Sequence, residues 1–153
     1  MKFLKQFIKN PVSTAAVVAS SKKLSRLIAD SAELSRRQCI VELGPGTGAF
    51  TKEILSQLPA EAVFFCLEIN EQFVAETKYN CPDATVYHAS ALDIETYLRK
   101  HDRIKSDCII SGLPWALLDH TLQEELLESI YSSLEKGGSF LTIAHITGLI
   151  FPP

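Results

Sequence analysis

Three glycines at alternate positions, Gly44, Gly46 and Gly48, stand two residues after an acid, Glu42. A second acid, Glu68, follows the last of them by 20 residues. Glycine permits positive φ and lets a ligand touch the backbone with no Cβ in between. A helix that opens just past such a loop offers free N–H groups to an anionic group. An acid beside the loop repels a pyrophosphate and welcomes a cation. A carboxylate at Glu68 can accept both hydroxyls of a ribose, which suits several nucleotide ligands. A dinucleotide loop more often reads G-x-G-x-x-G, with its third glycine one residue later.

By charge, the loop therefore favours S-adenosylmethionine (SAM) over NAD. SAM carries a sulfonium and an ammonium, with a single carboxylate for the helix N-terminus. Plainer roles exist for both acids: Glu42 pairing with a nearby base, Glu68 capping the next helix.

The surrounding pattern alternates. QCIVEL (38–43) reads as a buried strand, and the glycine loop leads to a helix over about 49–58. AVFFCLEI (62–69) is a second strand with a helix over 70–79, and ATVYH (84–88) a short third strand with a weak helix over 93–101. SDCIIS (106–111) is a fourth strand. A helix then starts at Asp119, with Leu122, Leu126, Leu127, Ile130 and Leu134 in one stripe, and Gly137-Gly138 ends it. SFLTIAHI (139–146) is a fifth strand. Such alternation predicts an α/β fold with a mainly parallel sheet and helices on both faces. Ahead of it, Ser20 or Ser21 can cap a helix to about Leu34, with Leu24, Leu27 and Ile28 facing inward.

With 153 residues the chain has the length of one domain. No apolar run reaches the roughly 18 residues that would span a membrane. Cys39, Cys66 and Cys108 sit in apolar runs, form no CxxC, and read as reduced, buried small hydrophobes, which suits a cytoplasmic protein. No metal site is expected. The net charge of −3 hides an asymmetry. Residues 1–29 hold six basic residues and no acid, leaving nine basic against eighteen acidic in the remainder. Phe3, Leu4, Phe7 and Ile8 share one helical face, opposite Lys2, Lys5 and Lys9. The chain thus divides into a basic amphipathic arm (1–29) and a SAM-binding domain (30–153).

In order, VELGPGTGAFTKEIL, LEIN, HASALDI and SGLPWALLD resemble class I SAM-dependent methyltransferases. More narrowly, the chain is similar to the branch holding ribosomal-RNA adenine dimethylases and bacterial phospholipid N-methyltransferases. The resemblance implies a Rossmann-like fold, SAM as cofactor and S-adenosylhomocysteine as product. It places Gly44, Gly46, Thr47 and Gly48 at the methionine end of SAM, with Glu42 near the ammonium. Glu68 would hold the ribose, with Ile69 against the adenine. Ser90 and Ala91 match the pair at the adenine edge, where the family often has Asp-Ala. Ser111 closes the cofactor set. Gly112, Leu113, Pro114 and Trp115 would form the catalytic loop. The RNA enzymes place an asparagine where this chain has Gly112, whereas Ser-Gly-Leu-Pro is the form of the phospholipid enzymes.

The expected function is N-methylation of a phospholipid headgroup amine, phosphatidylethanolamine towards phosphatidylcholine. The basic arm would rest on an anionic membrane surface, placing the protein in the cytoplasm on the inner face of the membrane. The acidic body argues against nucleic acid as a partner. Three rivals stand: an rRNA adenine dimethylase, a small-molecule amine methyltransferase, and a SAM-binding fragment without turnover. The resemblance also implies further C-terminal strands past the fifth, which are expected to be lacking from the sequence given. Asp119 is a candidate base, with a competing role as helix cap, and the four histidines receive no role.

Overall fold

Cys39, Ile40, Val41, Glu42 and Leu43 are all buried, and they form the middle strand of a five-stranded sheet. The structure, a computed structural model, describes residues 25–142. Helix α1 covers 25–31 of these. Then come β1 (Cys39–Leu43), α2 (Ala49–Gln57), β2 (Val63–Glu68), α3 (Glu71–Asn80) and β3 (Val86–His88). The remainder is α4 (Ile94–Lys100), β4 (Ser106–Ser111), α5 (His120–Ser133) and β5 (Leu134–Thr142).

The strand order is β3-β2-β1-β4-β5, and every pairing is parallel. The chain builds outward from β1 to β3, then crosses back to β4. That reversal falls between β1 and β4, so the loops leaving their carboxyl ends part and open a crevice. A parallel sheet covered on both faces needs strands apolar on both sides, which β1, β2 and β4 supply.

Successive side chains on a strand point to opposite faces. Val41, Leu43, Phe65, Leu67 and Ile109 face one way and pack with Ile94, Leu98 and Ile130 from α4 and α5. Ile40, Cys108 and Ile110 face the other way and pack with Ile28, Ala29, Ala32 and Ile54 from α1, its following turn and α2. Cys66 and Val86 meet Val74 of α3 on that second face. Each fully buried Leu, Ile or Phe contributes about 1.5–3 kcal/mol, so the two layers hold the sheet rigid beneath its loops. The last residues of the basic arm therefore belong to this core.

Expectations for the first and last helices need correction. The first helix ends at 31, not near Leu34, because Glu33 takes φ 51 and breaks it. Leu27 is 61% exposed, and Ile28 with Ala29 takes the inward place. The last helix ends at Ser133, and Leu134 pairs with Ser106 as the start of β5. Gly137-Gly138 lies inside β5, where Gly137 at φ 85 absorbs an irregular register before Ser139 pairs with Cys108. Leu127 is exposed rather than part of the buried stripe. The first 24 residues, with most of the arm, lie outside the described residues, as do 143–153.

Candidate functional site

The glycine loop leaves β1 with Gly44, Gly46 and Gly48 at φ 70, 59 and 85. All three lie where side chains are disfavoured, and the loop reaches α2 within five residues. Their surroundings differ. A Cβ on Gly44 would come 2.9 Å from Leu113 Cδ2, and one on Gly48 would come 3.1 Å from Cys81 Sγ. A Cβ on Gly46 would meet nothing within 4 Å. The loop is thus packed at both ends and open in the middle, as a cradle for a ligand should be.

Glu68 ends β2 beside it, 6% exposed. Its Oε2 accepts from the Gly46 N–H at 3.2 Å and its Oε1 from the Asn70 N–H at 2.9 Å. Burial pushes its pKa up, and the N–H donors pull it back. The carboxylate sits where the ends of β1 and β2 meet, next to the open glycine. That position fits the hydroxyls of a ribose. Ile69 follows it, 42% exposed, with its carbonyl 2.9 Å from His88 Nε2, which donates to it. His88 pairs with Glu68 across the strands, and sequence reasoning left it without a role.

Glu42 lies behind the loop. It is 2% exposed, and its Oε2 accepts from Thr51 Oγ1 at 2.7 Å and Cys66 Sγ at 3.3 Å. Burial raises its pKa to about 7, opposed by those two donors. No base pairs with it among the described residues. All four cysteines are free and buried.

Ser90 caps a 3-10 turn (Ala91–Asp93), its hydroxyl accepting from the Leu92 N–H at 3.2 Å. Ala91 is half-buried against the core. The Ala89 N–H donates to the Glu68 carbonyl at 3.0 Å, which brings this turn alongside Glu68. Ser111, by contrast, is fully buried. Its Oγ accepts from the Trp115 indole N–H at 3.1 Å and the Leu113 N–H at 3.3 Å. Ser111 holds the second loop in shape from below.

That loop crosses directly over the first. The Gly112 N–H donates to the Leu43 carbonyl at 2.8 Å, and a Cβ on Gly112 would lie 2.6 Å from the Gly44 oxygen. Leu113 covers Gly44, and Pro114 leads into a 3-10 turn (Trp115–Leu117). Trp115 is half-buried, edge-on to Phe140 with ring centroids 6.0 Å apart. Gln123 pins the loop through the Trp115 and Leu118 carbonyls. Asp119 caps α5, accepting from the Leu122 N–H at 2.9 Å, which is the plainer of its two roles.

Two clefts of about 370 and 400 Å³ lie at the other end of the sheet, sharing Arg36, Arg37 and Arg103. Arg37 there is committed to the Ala32 and Asp107 carbonyls and to Ser139. The crevice of the strand topology and the open space at Gly46 both lie at the carboxyl end instead. Among the described residues, no helix is long and apolar enough to cross a membrane, and no group of three His, Cys, Asp or Glu could hold a metal.

Comparison with known proteins agrees with this fold. Over 147 residues the chain is 27% identical to an ornithine lipid N-methyltransferase of Singulisphaera acidiphila, covering 94% of this chain and 77% of that one. It is 31% identical over 111 residues to ribosomal RNA small subunit methyltransferase A of Mycoplasma capricolum, covering 70% of this chain and 40% of that one. In fold it matches an amino pentose methyltransferase of Micromonospora echinaspora solved with SAM bound, at TM-score 0.67 and 13% identity, covering 89% of this chain and 58% of that one. Residues 18–150 match the family described as ribosomal RNA adenine dimethylase. The cofactor is S-adenosyl-L-methionine, and the chain belongs to the ribosomal RNA adenine dimethylase family of SAM-dependent methyltransferases.

Proposed function

We propose that this chain transfers a methyl group from SAM to the amine of a phospholipid headgroup, such as phosphatidylethanolamine. The observation that carries the reading is Gly112. A flat nucleobase amine is oriented by a side chain, and the RNA enzymes that this chain resembles place an asparagine at this position. Here a Cβ would sit 2.6 Å from the Gly44 carbonyl oxygen, so the loop as built has no room for one. The loop keeps backbone carbonyls, which suit a small primary amine. The similarity to the ornithine lipid N-methyltransferase runs over nearly the whole chain and supports the same reading.

In this reading the amine lone pair attacks the methyl carbon, the carbon–sulfur bond breaks with its electrons passing to sulfur, and S-adenosylhomocysteine leaves. An ammonium must first lose a proton to water. The protein's contribution is placement of the amine opposite the sulfonium. Trp115 would flank the cationic product by cation–π attraction. The basic arm (1–29) would hold the protein on the anionic inner face of the membrane, since each basic side chain near such a surface contributes about 1 kcal/mol.

A second reading, methylation of rRNA adenine, is favoured by the family match and the Mycoplasma relative. Labelled SAM distinguishes them. The full chain is incubated with vesicles containing phosphatidylethanolamine, with vesicles containing ornithine lipid, and with small-subunit rRNA. Label in methylated phosphatidylethanolamine supports the proposal. Label in ornithine lipid alone moves the substrate to that headgroup, and label in RNA alone overturns the lipid reading.

A further inference from the structure

We propose that Thr77, Asn80 and Cys81, at the end of α3, are positioning residues for the cofactor: they grip three successive carbonyls of the glycine loop and so fix the direction of its N–H groups. The inference rests on the reading that this loop binds SAM. Thr77 Oγ1 donates to the Gly46 carbonyl at 2.7 Å, Asn80 Nδ2 to the Thr47 carbonyl at 2.8 Å, and Cys81 Sγ to the Gly48 carbonyl at 3.4 Å. No sequence spacing announces this clamp, because its partners are 31 to 33 residues apart.

The consequence follows from the flat trans peptide, in which C=O and the next N–H point opposite ways. Drawing the Gly46, Thr47 and Gly48 carbonyls toward α3 turns the N–H groups of Thr47, Gly48 and Ala49 away from it. The Gly48 N–H is taken by the Pro45 carbonyl at 3.0 Å. Those of Thr47 and Ala49 face away from α3, on the side where an anionic group would approach a helix start.

Gly46 is held from both sides by the same β2–α3 unit. Glu68 accepts from its N–H, and Thr77 donates to its C=O. The start of α3 is tied to Glu68 in turn, through the Asn70 N–H. Asn70 is 5% exposed, and its side chain caps the helix by accepting from the Gln72 N–H at 2.9 Å. Thr77 and Cys81 are buried and press on Gly48, whose added Cβ would meet Cys81 Sγ at 3.1 Å and Thr77 Cγ2 at 3.3 Å. A stretch with three glycines has more backbone freedom to lose than any other, and a loop ordered before the ligand arrives loses none of it on binding. The ribose carboxylate and the loop clamp are therefore one rigid part.

The test is calorimetric SAM affinity of the full chain, with KM for SAM and kcat, for Asn80→Ala, Thr77→Val and Thr77→Ser. Asn80 is exposed, so its variant will fold even if Thr77→Val does not. Loss of one such bond corresponds to about a three- to tenfold change in an equilibrium. The expected result is SAM affinity weakened by that factor in Asn80→Ala and Thr77→Val, KM for SAM raised in step, and kcat at saturating SAM unchanged. Thr77→Ser, which keeps the hydroxyl, restores affinity. A merely structural role would lower the melting temperature and leave affinity per folded molecule intact. Wild-type affinity in Asn80→Ala and Thr77→Val, with Gly46→Ala abolishing binding, overturns the clamp alone. Wild-type affinity in Gly46→Ala and Glu68→Gln as well overturns the loop reading and the clamp with it.

Discussion

The carbonyl oxygen of Gly44 stands 2.6 Å from the point that a Cβ on Gly112 would occupy. The contact is matched from the other side, where a Cβ on Gly44 would strike Leu113. The glycine loop after β1 and the Gly112–Trp115 loop after β4 are thus fitted to each other through two absent side chains. Gly112→Ala must push a backbone carbonyl aside, not the tip of a flexible chain. Overpacking of that kind costs about 1–3 kcal/mol. The expected outcome is a melting temperature lower by several degrees and weaker SAM binding, read by calorimetry on one sample. Unchanged melting and unchanged affinity would mean that the two loops separate freely.

Substitutions in the glycine loop should separate binding from folding. Gly46→Ala puts a methyl group into open space, at φ 59, so its backbone strain is of order 1 kcal/mol. The same change at Gly48 adds strain at φ 85 to contacts with Cys81 and Thr77. Gly46→Ala should fold nearly as well as the parent and lose SAM affinity by tenfold or more, about 1.4 kcal/mol or above. Gly48→Ala should lose stability first. Urea titrations beside SAM titrations check both, and the reverse order would move the cradle away from Gly46.

Trp115 and Ser111 form a pair that a double-mutant cycle can read. Trp115→Phe removes the indole N–H and keeps an aromatic edge against Phe140, while Ser111→Ala removes the acceptor. Each should cost about 0.5–1.5 kcal/mol, and the double variant less than the sum, because both remove one bond. If Trp115 serves the methylammonium, Trp115→Phe also raises KM for the lipid. Strict additivity in the cycle would deny that the bond holds the loop.

Much of this architecture is legible in the sequence, for reasons that differ by element. β1, β2 and β4 are buried on both faces, so they read as apolar runs, and the alternation with α2 and α3 specifies a parallel sheet. The positive-φ glycines and the place of Glu68 at the end of β2 are legible because local sequence sets both. The end of α5 is not. Leu134 continues the stripe of Ile130 at helical spacing, and only its pairing with Ser106 assigns it to β5. The partners of Glu42 are equally silent, since Thr51 and Cys66 reach it from different elements. Ser111 matched a cofactor position in the motif, yet its side chain turns inward to brace the loop.

Glu42 gives the last prediction, a pH dependence with a definite sign. An ordinary glutamate ionises near 4.5, and burial raises this one to about 7 in the fold. Between those values the folded chain keeps a proton that the unfolded chain has released. The stability from the neutral side chain is therefore fully present below about pH 4.5 and is lost as pH rises through about 7. Glu42→Gln preserves the shape and the acceptor for Thr51 while staying neutral throughout. Relative to that variant, the parent should lose roughly 3 kcal/mol between about pH 5 and about pH 8, at 1.36 kcal/mol per pKa unit. Denaturant titrations of both proteins across this range read the difference directly. Saturating SAM adds a second readout. A ligand ammonium beside Glu42 favours the carboxylate, so it should shrink the difference at neutral pH. A difference unchanged by SAM would place the ammonium elsewhere and leave Glu42 as a brace for Thr51 and Cys66.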